Sequence, residues 1–121
     1  ENSLETVNRF SKIGVKMMAG SDSPWGAYPP GEFVKEILAL NRAGLSIYES
    51  LLTGTKHAAH SIGKGHVSGI LNVGRNADVL VVKGNPLINL SDLSNVKQVY
   101  KKGIPQYKKP KGYSGIHTEI K

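Results

Sequence analysis

The sequence predicts an α/β fold, α+β in a chain this short, and three observations carry that prediction. The stretch Gly14-Val15-Lys16-Met17-Met18-Ala19-Gly20-Ser21-Asp22-Ser23-Pro24 holds an apolar run broken only by Lys16, too short for a helix, so residues 15–19 read as a buried strand. A segment with helical spacing precedes it directly, and helix followed at once by strand is the step from which parallel sheets are built. Further on, the β-branched run Ala77-Asp78-Val79-Leu80-Val81-Val82 is the strongest strand signal in the chain.

Taken in order, Leu4, Val7, Phe10 and Ile13 fall close to one helical face, with Ser3 suited to the start and Gly14 to the stop. After the strand, Gly20-Ser21 ends the run and Asp22 projects into a loop that Pro24 and Gly26 keep irregular. Glu32 to Ala43 is amphipathic and closes on Gly44. Ser46 with Glu49 three residues on has the form of a capping box, followed by the apolar Ile47, Leu51 and Leu52. Thr53 or Thr55 suits the start of a further turn or helix through His57 and His60 to Gly63. From Gly65 the texture changes to short strands and turns. Val67 to Val73 leads to a turn at Gly74-Arg75-Asn76, the strand ending at Val82 is broken by Gly84-Asn85-Pro86, and Val96 to Lys102 returns through Gly103 as an antiparallel Ile104 to Tyr107.

A chain of 121 residues suits one modest domain or a piece of something larger, and Glu1, which is not an initiator residue, points to a fragment. No secretory signal and no apolar run long enough to span a bilayer occurs. The absence of cysteine removes disulfide and thiolate chemistry and fits a cytoplasmic location. Charge is uneven: residues 1–50 carry a net charge of −1 and residues 51–121 of +8. The lysines at 101, 102, 108, 109 and 111 could attract a polyanion, but they lie among Gly and Pro rather than on one helix face. A solvated terminus accounts for them, and nucleic acid is not an expected partner.

Asp22 is the leading candidate for chemistry, because the carboxyl end of a strand is where parallel α/β folds place it; the competing reading is an Asx turn that closes the strand. Trp25 could line a pocket beside that carboxylate or cover the sheet end, and Tyr28 suits packing. His57 and His60, three apart, would share a helix face and could hold a metal if a carboxylate joined them, but Lys56 and Lys64 flank the segment and a surface or polar-core role explains them better. His66 and His117 attract no role.

The strand with Gly20-Ser21-Asp22, the helices through Thr53 to Gly63, the run Gly69-Ile70-Leu71-Asn72-Val73-Gly74-Arg75-Asn76-Ala77-Asp78-Val79-Leu80-Val81-Val82 with Asn85-Pro86-Leu87, and Val96 and Val99 before Gly103 together resemble the carboxyl-terminal third of the amidohydrolase superfamily. Its imidazolonepropionase and dipeptidase-like branches are the most similar. The likeness covers roughly residues 4–107, and its most specific part is Gly69 to Val82.

That resemblance implies a metal-dependent hydrolase on a (β/α)8 (TIM) barrel. Residues 15–19 would be the last barrel strand, and residues after Gly65 part of a small β-domain that amino-terminal strands complete. It implies that Asp22 touches the metal and shuttles a proton from attacking water to leaving group, with Ser23 and Trp25 as pocket walls and Asp78 as a structural turn or strand-edge residue. The implied division is 1–64 for the terminal barrel portion, 65–107 for the partial β-domain and 108–121 for a basic, flexible tail. The family's divalent metal, zinc above all, also needs a His-x-His pair, a Lys or Glu and two further histidines on other strands. No His-x-His occurs here, and all four histidines follow the strand that should come last. The chain alone is therefore expected to bind no metal and to be inactive, while the whole enzyme would cleave C–N bonds of small cyclic amides or dipeptides. The alternative is a non-catalytic module from a truncated reading frame that self-associates or binds a partner. One barrel strand cannot close a barrel, and its free edges make a homo-oligomer the expectation.

Overall fold

The computed structural model describes residues 3–23 and 29–108; Trp25, Tyr28 and the basic tail beyond Lys108 lie outside them. Four helices come first: α1 (Ser3–Lys12), α2 (Phe33–Arg42), α3 (Ile47–Thr53) and α4 (Lys56–Ser61). Then follow β1 (Val79–Val82), a 3₁₀ turn (Leu90–Ser94), β2 (Val96–Lys101) and β3 (Ile104–Lys108).

Each helix ends for a local reason. Gly14 turns the chain out of α1 at a φ of 82°, a conformation that costs an L side chain about 1–2 kcal/mol and glycine nothing. The turn from α2 to α3 is tied by the Asn41 side-chain amide, which donates to the Leu45 carbonyl at 2.8 Å. The capping box then forms as the sequence predicts: the Glu49 amide donates to Ser46 Oγ at 3.2 Å, and the Ser46 amide donates to the Glu49 carboxylate at 3.1 Å. Two amides that the first turn would leave unpaired are thereby satisfied. At α4 the predicted threonine cap takes a different form, because the Thr55 hydroxyl donates backward to the Leu51 carbonyl at 2.7 Å and makes no cap bond.

Ala19, Ile37, Leu40, Leu45, Leu90 and Leu93 form the buried core, with Val7, Met17, Val34, Leu38, Ile47 and Leu51 packed around it. The 3₁₀ turn, which the sequence reading did not anticipate, supplies Leu90 and Leu93 from one face, as its three-residue period requires. Asp92 holds that turn against the Gly84-Asn85-Pro86 break, its Oδ2 accepting from the Asn85 amide at 2.9 Å.

The sheet is antiparallel in the order β1-β2-β3. Val79 stands opposite Tyr100 and Leu80 opposite Val99; Lys101 stands opposite Ile104. The two-residue loop between β2 and β3 has positive φ at both positions, 50° at Lys102 and 78° at Gly103, the backbone that matches the twist of a tight hairpin. Pro105 is accommodated because β3 is an edge strand.

Two expected elements are corrected. Residues 15–19 are not a strand: Met17 and Ala19 turn inward while Lys16, Met18 and Gly20 face out, so the alternation of a strand is present without a ladder. A strand needs a neighbour to pair its amides and carbonyls, and among the described residues the segment's backbone bonds are single links such as Ala19 N–H to the Thr53 carbonyl, 3.1 Å. Residues 67–73 are likewise turns and bends, folded back by bonds such as Asn76 N–H to the Val67 carbonyl at 2.8 Å.

Candidate functional site

The extended segment that carries Asp22 is fixed from inside. Ala19, 6% exposed, sits in the core, and its amide is held by the Thr53 carbonyl at the end of α3. Thr53 is itself 1% exposed, with its hydroxyl donating to the Ser50 carbonyl at 2.6 Å. Three residues beyond this anchor Asp22 is exposed and takes a φ of 49°, a left-handed conformation that aspartate tolerates better than most residues. Ser23, half-buried, follows it directly. The chain thus presents a carboxylate to solvent from a segment anchored on a helix end. Trp25, the third predicted site residue, lies outside the described residues.

A divalent metal would need more than the described side chains bring together. No group of three or more His, Asp or Glu converges among them, and zinc sites use three or four protein ligands. Asp22 as a single carboxylate does not fit such an ion by itself. His57 and His60 are both on α4, three residues apart; His57 is half-buried, with an Nδ1 that has no hydrogen-bond partner among the described residues.

Two other carboxylates, Asp78 and Glu49, are structural. Asp78 Oδ2 accepts from Lys101 Nζ at 2.9 Å and from the Ser68 hydroxyl at 3.0 Å, and Oδ1 accepts from the Lys102 amide at 2.9 Å. The Lys101 bond, followed by that of the Lys102 amide, lowers the Asp78 pKa to about 2. Asp78 therefore clips the turn at Ser68 and the start of β1 to the β2–β3 hairpin. Glu49 is held below the ordinary carboxylate range by the Ser46 hydroxyl and then the Ser46 amide, as its capping role requires. The sequence reading placed Asp78 at a turn or strand edge but missed Ser68 and Lys101 as its partners; only the basic run of the hairpin hinted at the second.

A concavity of about 1240 Å³ lies elsewhere. Leu51, Leu52, Ala59, Leu71, Leu80 and Leu87 are among the residues that line it, between α3, α4 and β1. Asp22 is not part of its wall, so the candidate carboxylate and this apolar groove are separate features.

The family model described as "Amidohydrolase family" matches residues 3–105. An imidazolonepropionase of Syntrophobacter fumaroxidans is 32% identical over 115 residues, 92% of this chain and 27% of that protein. The crystal structure of a Xaa-Pro dipeptidase with methionine bound in its active site superposes with a TM-score of 0.79 at 27% identity, covering 88% of this chain and 25% of the other. An amidohydrolase from Thermotoga maritima superposes with a TM-score of 0.74 at 24% identity, covering 88% and 26%, a likeness of fold. The chain spans about a quarter of the length of these relatives.

Proposed function

The chain belongs to the amidohydrolase family, and on that premise we propose that it is the terminal part of a hydrolase for the C–N bonds of small cyclic amides or dipeptides, to which it contributes Asp22 as the proton-carrying carboxylate. The observation that carries this reading is the exposed Asp22 at positive φ, three residues beyond a core-anchored Ala19. A carboxylate so placed can take a proton from an attacking water and pass it to the departing nitrogen, the work of a general acid–base group. Ser23 and Trp25 would form adjoining pocket walls. Residues 1–64 would be the terminal portion of the barrel, residues 65–107 part of the small β-domain, and 108–121 a basic tail.

The family works with divalent metals, but the described residues do not make a site for one, so the remainder of the enzyme would have to supply it. The chain by itself is accordingly proposed to be inactive. The test is a chimera in which this chain replaces the matching quarter of the Syntrophobacter imidazolonepropionase. Hydrolysis by the chimera that falls about 10²–10⁴-fold on Asp22→Asn supports the role, and a chimera indifferent to that change refutes it. Turnover of a dipeptide or cyclic amide by the chain alone, lost on Asp22→Ala, would overturn the inactivity.

One observation favours the second reading, a self-associating module. β1 pairs on one side only among the described residues, and the apolar groove runs beside it. Unpaired strand edges and apolar patches are the features that association covers. Light scattering over a concentration series distinguishes the two: a defined oligomer supports the module, and a compact monomer at high concentration counts against it.

A further inference from the structure

A second, smaller cleft of about 370 Å³ opens among Lys56, His60, Gly65, His66, Ser68 and Arg75. Lys56 and His60 are four apart on α4 and so share one face. Beyond that helix Gly63 takes a φ of 71°, and the Lys64 amide donates to the Ala59 carbonyl at 2.8 Å, which turns the chain back along α4. Gly65 is thereby laid against His60: a Cβ added there would stand 3.1 Å from His60 Nδ1 and 3.3 Å from its Cα. From the other side the Arg75 guanidinium donates to the Gly65 carbonyl, and the bond between the Asn76 amide and the Val67 carbonyl, 2.8 Å, holds the two turns together. Basic side chains from three separate segments therefore converge on one glycine.

No carboxylate lines this cleft. Asp78 takes the Ser68 hydroxyl at 3.0 Å, but its charge is already met by Lys101 at 2.9 Å. Among the described residues neither Lys56 nor Arg75 has an acidic partner. A concave site with two positive charges and two imidazoles, and with no carboxylate in its lining, has the donors an oxyanion needs. Arginine's planar fork suits phosphate oxygens in particular, even with one N–H already committed.

We propose that this cleft binds a phosphate-sized oxyanion, with Lys56 and Arg75 supplying charge and His60 and His66 supplying hydrogen bonds. The inference does not depend on the hydrolase reading, since Asp22 is not among the residues that line the cleft. Its volume suits inorganic phosphate or the phosphate group of a small ester.

The test is a titration of the folded chain with sodium phosphate at fixed pH and ionic strength, following the carbon-bound imidazole protons of each histidine by NMR. Saturable shifts at His60 and His66, with His57 little moved, support the site. The double variant Lys56→Gln with His66→Gln changes two exposed side chains and should keep the fold. It is expected to weaken binding about tenfold, read at His60. A parallel titration with glycerol phosphate assigns the source, tighter binding of the ester pointing to a phosphorylated small molecule and tighter binding of phosphate to the free ion. Uniform, non-saturating shifts at all histidines, or unchanged affinity in the folded double variant, overturn the proposal.

Discussion

The amide of Ala19 donates to the carbonyl of Thr53 at 3.1 Å, and this bond joins the extended segment that leads to Asp22 to the end of α3. Because Ala19 is 6% exposed and belongs to the same buried core as Ile37 and Leu93, a larger side chain has little room. Ala19→Leu is expected to destabilise the chain by about 1–3 kcal/mol through overpacking, measured as a lowered urea midpoint with an unchanged slope. A variant as stable as the parent would show that the segment is not packed as described.

Asp22 itself should be separable from stability. It is exposed with φ at 49°, and asparagine adopts that backbone readily. Asp22→Asn should leave the stability from urea unfolding within about 0.5 kcal/mol of the parent, so a loss of activity in the chimera can be read as chemistry and not as unfolding.

The carboxylate of Asp78 predicts how stability varies with acidity. Its pKa falls from 3.8 to about 2 in the fold, so the charged form is the one the native state favours. Its contribution is complete above the unfolded value and disappears as pH drops through the folded value. Urea midpoints of the parent and Asp78→Asn should differ at neutral pH and converge as pH falls between 3.8 and about 2. A constant difference across that window would exclude titration of Asp78 as the cause.

Gly84 is a position where the fold resists alanine. At a φ of 105° a Cβ would lie 2.1 Å from Asp92 Oδ2, and that oxygen is held by the Asn85 amide. Gly84→Ala should cost at least about 1 kcal/mol from the backbone alone, and the thermal midpoint should fall accordingly.

The capping box offers the contrasting local case. Ser46→Ala removes the acceptor of the Glu49 amide and should cost about 1 kcal/mol, with a matching loss of helical signal on partial denaturation.

What was legible in the sequence was what the chain decides locally. The capping box at Ser46 and Glu49, the glycine stops after α1 and α2, and the hairpin at Lys102-Gly103 each depend on residues within a few positions of one another. The segment over residues 15–19 was misjudged because alternation is local whereas a ladder is not: Met17 and Ala19 point inward as a strand requires, yet no described neighbour pairs with them. Asp78 was placed correctly at a turn or strand edge, but Lys101, its partner, is 23 residues away. The basic cleft was invisible for the same reason. Lys56, His66 and Arg75 look like scattered surface charge until the reversal after α4 gathers them around Gly65. At the candidate site, Asp22 was legible from the loop that follows an apolar run, and its left-handed backbone was not.

α1 contributes no buried residue. It is attached by the partly buried Val7, packed at the edge of the core, and by the Asn8 side-chain amide, which donates to the Ala43 carbonyl at 3.0 Å, while Phe10 remains 48% exposed. A helix fastened in this way opens at little cost to the rest of the molecule. Its amides should exchange with solvent well before those of α2 and α3, and a protease should be able to trim the amino-terminal turns while the core around Leu40 and Leu90 stays closed.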